Sequence, residues 1–443
     1  MKGISLLLVI VSLAACQQDS TADLDRELDR VLKEATNGQG RQEFLLPKSG
    51  DLSAIPQDPN NPLTQEKITL GQLLYHETGL ALNPMREEGT GTYSCASCHF
   101  AEAGFQAGRF QGIGEGGSGF GLSGENRGPQ TSYAEMELDV QPIRSPTTLN
   151  GAYQELMLWN GQFGATGDNV GTEAQWTPGT PKEVNNLGYE GLETQAIAGL
   201  SVHRLEIDPD FLSETGYKTL FDAAFGDWPE ETRYTKETAG LAIAAYERKL
   251  LANEAPFQRW LQGNSSIMTE AEKRGAILFF GEAGCVSCHS GPALNNMNFY
   301  ALGMNDLDQC PEQVFQTPAN AEAHLGRASF TTRAEDMYKF KTPQLYNLAD
   351  SPFYGHGASF RTIREVIEYK NMAQPQNDRV AAGQLASGFQ PLHLSSSEID
   401  DIVAFLSTAL YDPHLTRYEP TALLSGQCFP NNDPQSRLDR GCD

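Results

Sequence analysis

The sequence has no long apolar run after its N-terminus, few basic residues and few strand-like alternations. Of its 443 residues, 57 are acidic and 32 are basic, so the formal net charge is -25. This balance argues against nucleic acid or an anionic membrane surface as a partner and favours cationic partners. A chain with 39% hydrophobic and 20% charged residues is nevertheless typical of a folded globular protein.

The N-terminus has the pattern of a bacterial lipoprotein. Lys2 precedes a short apolar run, Ile4 to Val11, and the segment ends in Leu13-Ala14-Ala15-Cys16. The run is too short to span a bilayer, and small residues before a cysteine suit signal-peptidase cleavage. We expect residues 1–15 to be a signal peptide and Cys16 to be lipidated, which would anchor the chain on the periplasmic side of a bacterial membrane. Gln17 favours the outer membrane, and an ordinary cleaved signal peptide is the alternative.

Two copies of one motif carry the strongest chemical signal. They are Cys95-Ala96-Ser97-Cys98-His99 and Cys285-Val286-Ser287-Cys288-His289. In Cys-x-x-Cys-His, two thioether bonds fix a porphyrin while the adjacent histidine reaches its iron. A four-cysteine zinc site would need neither histidine. The sequence therefore predicts two covalently bound haem c groups, with His99 and His289 as iron ligands.

Three of the eight cysteines remain after haem attachment and lipidation: Cys310, Cys428 and Cys442. Cys428 and Cys442 lie in a polar C-terminal segment and are able to close a short loop. Either is also able to pair with Cys310, and the sequence does not decide between these pairings.

The patterning divides the chain into five segments. After the signal peptide, residues 16–61 are expected to be a lipid anchor and tether with one short helix. Residues 62–265 and 266–415 are the predicted haem domains, and residues 416–443 are a polar cysteine-containing tail. The glycine-rich stretch 112–128 and the stretch 161–191 predict long irregular loops.

A sequence echo links the two predicted haem domains. Leu70-Gly71-x-Leu73-Leu74 precedes the first haem motif, and Gly275-x-x-Leu278-Phe279 precedes the second. Two related modules would produce such an echo. By analogy with cytochrome c folds, we expect a mainly α fold in which two cytochrome c-like haem domains pack together, with long irregular loops.

The motif order resembles the bacterial diheme cytochrome c peroxidase family, which includes the methylamine-utilisation diheme enzymes that oxidise a protein side chain. The resemblance covers roughly residues 62–411. Besides the haem motifs it rests on five blocks in family order: Leu70-Gly71-Gln72-Leu73-Leu74-Tyr75, Ser145-Pro146-Thr147-Thr148-Leu149-Asn150, Leu158-Trp159-Asn160-Gly161, Leu192-Glu193-Thr194-Gln195-Ala196 and Phe340-Lys341-Thr342-Pro343-Gln344-Leu345-Tyr346-Asn347.

The resemblance implies different roles for the two haems. The haem of His99 would be the peroxide site, and the haem of His289 would receive the electrons. Trp159 would lie between the two haems and relay electrons from one to the other.

The family also implies an acid–base carboxylate ten residues after its glutamine. Counted from Gln195, that offset reaches Leu205, so a one-residue insertion makes Glu206 the expected acid–base residue. Gln195 would assist it by hydrogen bonding. His203 is a rival base, although its neighbours are more typical of a structural histidine.

The sequence departs from the family at the first haem. Many members close this haem with a distal histidine, but no histidine occurs from Phe100 to Val202. We therefore expect an open or water-occupied sixth position and no need for reductive activation. Arg144 stands where the family has a calcium-site asparagine just before Ser-Pro-Thr, so calcium is doubtful and the arginine charge would replace it.

The second haem ligand also departs from the family, which supplies a methionine or tyrosine from a late helix. The alignment puts Lys370 at that position, with Met372 two residues beyond. Met372 reaches the iron only if the helix ends or shifts there, which Pro375 favours. We expect Met372 to be the ligand, ahead of Tyr369 and then His356.

The resemblance thus implies a cytochrome-c peroxidase that reduces hydrogen peroxide with electrons from a small c-type cytochrome or cupredoxin. Two alternatives stay open. In one, peroxide drives the oxidation of a tryptophan or tyrosine in a partner protein, and a tyrosine ligand at the second haem would favour it. In the other, the chain is a non-catalytic diheme electron carrier, which would gain nothing from an open first haem.

Overall fold

The computed structural model describes residues 10–442, with side chains from residue 22 onward. Residues 1–9 of the predicted signal peptide and the side chain of Cys16 lie outside this description, so cleavage and lipidation remain predictions. None of the helices among the described residues is long and apolar enough to cross a membrane.

Residues 10–442 form thirteen α-helices connected by irregular segments and short 3₁₀ turns. The helices are α1 (Ile10–Ala35), α2 (Gln65–His76), α3 (Gly191–Val202), α4 (Pro209–Thr215), α5 (Tyr217–Phe225), α6 (Glu230–Arg233), α7 (Lys236–Arg248), α8 (Pro256–Leu261), α9 (Glu270–Phe280), α10 (Ala328–Thr331), α11 (Ile363–Met372), α12 (Ser396–Ala404) and α13 (Pro434–Arg440).

Strands are short within the described residues. β1 (Gly117–Ser118) pairs antiparallel with β2 (Gly128–Pro129), and β3 (Phe299–Tyr300) pairs antiparallel with β4 (Phe340–Lys341). Residues 77–190, between α2 and α3, contain no α-helix. The prediction of a mainly helical fold with long irregular loops is confirmed.

The two glycines of the sequence echo lie at helix crossings. A Cβ on Gly71 in α2 would lie 1.8 Å from the backbone oxygen of Ala242 in α7. A Cβ on Gly275 in α9 would lie 1.9 Å from the backbone oxygen of Asp401 in α12. Only glycine allows so close an approach. In both halves, therefore, the helix preceding a haem motif crosses a later helix at its glycine.

The segment predicted as a tether is partly built into the body of the protein. Instead of one short helix it contains most of α1, whose 26 residues continue to Ala35. Leu28, Val31 and Leu32 are buried in the main core. The Asp25 carboxylate also accepts a hydrogen bond from Trp260 Nε1 at 2.7 Å. The apolar face of this helix is thus buried in the core instead of exposed to solvent.

The C-terminal residues pack against the first haem motif. Cys428 and Cys442 form a disulfide, which leaves Cys310 as a free thiol. The carbonyl oxygen of Pro430 accepts hydrogen bonds from Ser94 Oγ at 3.1 Å and Ser97 Oγ at 3.2 Å. The predicted tail therefore supports the turn that carries the first motif.

Candidate haem sites

The first motif is a tight turn that orients its histidine. His99 Nδ1 lies 3.4 Å from the carbonyl oxygen of Phe105, and Tyr75 donates a hydrogen bond to the backbone oxygen of His99 at 2.8 Å. Burial lowers the pKa of His99 to about 4, so the imidazole is neutral, as an iron ligand must be. Cys95 and Cys98 are free of disulfides and available for thioether bonds.

The polar atoms around the first motif fit a haem with its two propionates. Tyr93 Oη, Arg109 Nε and Arg204 Nη2 are buried without a hydrogen-bond partner. Tyr93 stands two residues before Cys95, and the charge of Arg109 acts on Cys98. Buried donors of this kind are costly unless an acceptor meets them, and carboxylates are suitable acceptors.

His203 forms an ion pair with Asp139 beside the glycine-rich loop. His203 Nδ1 lies 2.8 Å from Asp139 Oδ2. Burial opposes the charge of His203, but Asp139 outweighs it and raises the pKa of the imidazole. A Cβ on Gly114 would lie 2.4 Å from Asp139 Oδ2, and a Cβ on Gly112 would lie 2.7 Å from Cys98 Sγ. The loop therefore connects the His203 pair to the first haem motif.

Glu206 and Gln195 lie in the same region but do not bind each other. Glu206 Oε1 is 2.8 Å from Lys236 Nζ, and the glutamate side chain is 38% exposed. Gln195 lies in α3, and its Oε1 is buried without a partner. No hydrogen bond joins the two side chains within the described residues. The structure thus places the predicted carboxylate in an ion pair and leaves the glutamine oxygen free for another group.

The second motif lines a cavity of about 360 Å³. Cys285, Cys288 and His289 all face it, together with apolar side chains that include Phe279, Leu302, Leu345 and Leu406. His289 Nδ1 lies 3.0 Å from the carbonyl oxygen of Leu294, which directs Nε2 towards an iron. Burial lowers the pKa of His289 to about 4. An apolar cavity with two free cysteines and a neutral, oriented imidazole fits a haem c.

The structure does not place Met372 where a ligand to this haem would have to be. Helix α11 continues to Met372 and ends at Ala373, which has φ 50°. Met372 is 55% exposed and does not line the cavity. An unbroken helix turns by about 200° over two residues, so Lys370 faces the cavity and Met372 faces away. Burial lowers the pKa of Lys370 to about 8.

The two other ligand candidates, Tyr369 and His356, make hydrogen bonds with protein groups. The hydroxyl of Tyr369 donates a hydrogen bond to the carbonyl oxygen of Leu302. His356 Nε2 lies 3.0 Å from Asp306 Oδ1, and its ring stacks on Phe340 with centroids 3.6 Å apart. Both side chains are therefore occupied in packing around the cavity.

Trp159 and Arg144 connect the regions of the two motifs. Trp159 lines the second cavity, and its Nε1 donates to the backbone oxygen of Arg144 at 2.8 Å. The buried guanidinium of Arg144 donates to the backbone oxygen of Arg109, to Gln106 Oε1 and to Ser351 Oγ. Burial lowers the pKa of Arg144 to about 9. A cationic side chain thus fills the position where the family has its calcium-site asparagine.

The sequence did not predict Asp139 as part of the site, and it did not predict Lys370 as a ligand. Asp139 contacts His203 across 64 residues, and no local pattern marks such a pair. Lys370 did carry a signal, because it follows Ile363 and Ile367 on one face of a helix.

The helical fold and the two oriented Cys-x-x-Cys-His sites fit a diheme protein of the cytochrome c class. The sequence model of the di-haem cytochrome c peroxidase family matches residues 65–266. The relatives described below extend this similarity to most of the chain.

Two curated relatives and one solved structure give the range of similarity. The cytochrome-c peroxidase IdrP1 of Denitromonas iodatirespirans is 28% identical over 413 residues, covering 88% of this chain and 93% of the relative. The methylamine utilization protein MauG of Methylorubrum extorquens is 28% identical over 375 residues, covering 84% and 85%. The crystal structure of a MauG-like protein associated with microbial copper homeostasis has a TM-score of 0.55 at 25% identity, covering 84% of this chain and 95% of that one.

Proposed function

We propose that this protein is a peroxidase that reduces hydrogen peroxide to water with electrons from a small periplasmic donor. The observation that carries the proposal is the difference between the two sites. The first motif supplies one histidine, His99, and residues 100–202 contain no second histidine to close the iron. An open position next to acid–base groups suits a peroxide substrate and would be of no use in an electron carrier.

The proposal includes two covalently attached haem c groups. Cys95, Cys98 and His99 would hold one, and the residues of the second motif, 285–289, would hold the other. When bound, the haems would supply the redox chemistry of peroxide cleavage, with the electrons coming from the donor. No calcium is proposed, because Arg144 already supplies a buried positive charge between the two regions.

Glu206 is the proposed acid–base residue. Its carboxylate would take a proton from the bound peroxide and return it to the departing oxygen. Lys236 Nζ lies 2.8 Å from this carboxylate and fixes its position. Gln195 would hydrogen-bond the peroxide through its free amide oxygen or its amide nitrogen. His203 is the rival, because Asp139 orients its Nδ1 and leaves Nε2 available.

Trp159 is the proposed electron relay. Its indole lies at the wall of the second cavity and is fixed by the hydrogen bond to Arg144. Arg144 in turn contacts the loop that follows the first motif through the backbone oxygen of Arg109. An aromatic ring held in this position shortens the gap that an electron has to cross.

Cellular location and domain organisation belong to the same proposal. We infer cleavage of residues 1–15, lipidation at Cys16 and attachment to the periplasmic side of a membrane, the outer membrane in particular. The two haem modules would span residues 62–265 and 266–415. The net charge of -25 supports a basic cytochrome or a basic cupredoxin as electron donor.

A second candidate function is oxidation of a tryptophan or tyrosine in a partner protein. One observation favours it: the helix that would supply a methionine ligand to the second haem places Met372 in solvent. The similarity to a protein named for methylamine utilization is consistent with it. The two functions differ in the lifetime of the oxidised protein, since a peroxidase returns quickly to its resting state when a reduced donor is added.

Stopped-flow absorbance of the fully oxidised holoprotein, mixed with one equivalent of hydrogen peroxide, tests the proposal. We expect a rapid change in haem absorbance in the native protein and a reaction at least about 100-fold slower in Glu206→Gln, the range for loss of acid–base catalysis. Glu214→Gln, an exposed glutamate in α4, is the matched control and should react like the native protein. His203→Gln measures the rival base.

The outcomes separate the candidates. A slow His203→Gln variant with a normal Glu206→Gln variant would move the acid–base role to His203. A native protein that does not react, even after one-electron reduction, would overturn both enzyme functions. A long-lived oxidised species that a reduced cytochrome does not discharge would favour side-chain oxidation over peroxidase activity.

A further inference from the structure

One face of α11 points into the cavity of the second motif and carries a lysine. Ile363, Val366, Ile367 and Lys370 have the i, i+3, i+4, i+7 spacing of one helix face. All four line the cavity, as do Cys285, Cys288 and His289, which would hold the haem. The periodicity of the helix therefore directs the lysine amine towards the space around His289.

The surroundings of the Lys370 amine leave its nitrogen free for a group in the cavity. Its Nζ lies 5.8 Å from the ring centroid of Phe389. No carboxylate or carbonyl oxygen of residues 22–442 accepts a hydrogen bond from it. The other lysine of this cavity, Lys341, differs because its Nζ donates to the Gln154 side chain and the Leu156 carbonyl. A desolvated amine without an acceptor is costly unless another group binds it.

We propose that Lys370 Nζ is the second axial ligand of the haem iron whose first ligand is His289. The inference rests on the proposed function only in that a haem is bound at the second motif. Forming the iron–nitrogen bond releases one proton from the ammonium group to solvent and leaves the oxidation state of the iron unchanged. The apolar cavity assists this step because desolvation disfavours the charged form of lysine.

Several other donors that line the cavity are engaged elsewhere. Tyr354 donates to the carbonyl oxygen of Leu348 at 2.9 Å, and Tyr369 donates to that of Leu302. Met157 and Met304 line the cavity and make no such bond, but Met157 is buried in the main core, which leaves Met304. Its thioether sulfur lies 3.2 Å from the position of a Cβ on Gly355. Met304 is therefore the rival ligand.

An amine ligand has a consequence that separates it from a thioether. Methionine as partner of a histidine raises the reduction potential of a haem. An amine is a harder donor that stabilises ferric iron, so the second haem should have a lower potential with Lys370 than with a methionine. Replacing the lysine by methionine should therefore raise the potential as well as change the spectrum.

The experiment uses ferric holoprotein and four variants, recorded by electron paramagnetic resonance and near-infrared magnetic circular dichroism. Lys370→Arg keeps a long cationic side chain but removes the ligand, because a guanidinium does not deprotonate in proteins. Lys370→Met offers a sulfur ligand at the same position. Met372→Leu is the matched control for the exposed neighbour, and Met304→Leu removes the rival.

We expect the native protein to show a low-spin haem with two nitrogen ligands. Lys370→Arg should lose this signal, and Lys370→Met should gain a sulfur-to-iron charge-transfer band and a higher reduction potential. Met372→Leu and Met304→Leu should match the native protein. Retention of the native signal in Lys370→Arg, or its loss in Met304→Leu, would overturn the proposal.

Haem content and peroxide reactivity, measured on the same samples, separate this inference from the proposed function. Two haems per chain in Lys370→Arg would show that the variant folds, so a lost signal would report ligation. A native protein with the nitrogen signature but no reaction with peroxide would overturn the function and leave the ligand assignment standing. A native protein without haem at the second motif would overturn both.

Discussion

The His203–Asp139 pair gives the first site a dependence on pH that follows from two shifted pKa values. Asp139 raises the pKa of His203 above its ordinary 6.5, although burial opposes this. The pKa of Asp139 is lowered below 3.8, because His203 outweighs the effect of its burial. The histidine therefore contributes stability that is full below pH 6.5 and is lost as pH rises through its folded value. The aspartate contributes stability above pH 3.8 that is lost as pH falls further.

Asp139→Asn should accordingly destabilise the protein most at pH values above 3.8 and below the raised pKa of His203. We expect its thermal midpoint to fall furthest below that of the native protein near about pH 5.5 and to approach it near about pH 9. Arg204 and His99 also act on His203 and are unchanged in the variant. Asp227→Asn, which alters an exposed aspartate, is the control. An equal deficit at both pH values would mean that Asp139 acts by packing rather than by pairing with a protonated histidine.

How far the site could be predicted from the sequence depended on whether its residues are close together in the chain. The orientation of His99 and His289 could be predicted because each motif spans five residues and fixes its own geometry. The prediction of Met372 as a ligand depends on a helix that ends early, which Pro375 favours. The helix instead continues, since Asn371 is fixed through its side chain to the backbone of Leu394, 23 residues away. Where a helix ends depends on such tertiary contacts, which spacing alone does not reveal.

At the scale of elements, the sequence revealed the glycines of the echo but not the packing of the C-terminal segment. Gly71 and Gly275 were visible as a repeat, and the structure explains them as crossing points of two helix pairs. The packing of the C-terminal segment could not be predicted, because Asp433 meets its partner Arg127 across 306 residues. Both side chains are buried, so this contact belongs to the interior of the protein rather than to a solvated tail.

The disulfide between Cys428 and Cys442 should stabilise the glycine-rich loop through this segment. Asp433 Oδ1 accepts from the backbone nitrogen of Gly119 at 3.0 Å, and Asp439 Oδ2 accepts from that of Phe120 at 2.7 Å. The sequence separation between the cysteines is 14, for which loop-closure entropy predicts a contribution of about 3 kcal/mol.

Replacing both cysteines by serine should therefore lower the denaturation midpoint and speed hydrogen exchange in residues 112–128. The double variant is compared with Cys310→Ser, which removes the free thiol and keeps the disulfide. Equal exchange in residues 112–128 of both proteins would contradict the idea that the C-terminal segment holds this loop in place.

At the scale of the whole molecule, the two haem regions are tied together by buried polar contacts instead of a large shared sheet. Arg144 reaches Ser351 at 2.7 Å, and its backbone nitrogen donates to the backbone oxygen of His356 at 2.9 Å. In the opposite direction along the chain, the backbone nitrogen of Lys341 donates to the backbone oxygen of Trp159 at 2.8 Å. These contacts link the Ser-Pro-Thr and Trp-Asn-Gly blocks to the residues around the second cavity. The sequence blocks that resemble the family are therefore also the segments that join the regions of the two motifs.

The net charge of -25 acts on the molecule as a whole, and it sets an expectation for the donor. Long-range attraction raises the encounter rate with a cationic partner and is screened over about 10 Å at 0.1 M salt. Steady-state peroxidase rates with a basic cytochrome should therefore show a kcat/KM that falls steeply as ionic strength rises. An acidic cytochrome of similar potential should show a lower kcat/KM that rises with salt, and a neutral small-molecule donor should show little change. If the basic donor were insensitive to salt, the acidic surface would have no part in delivering electrons, and donor choice would depend on short-range contacts alone.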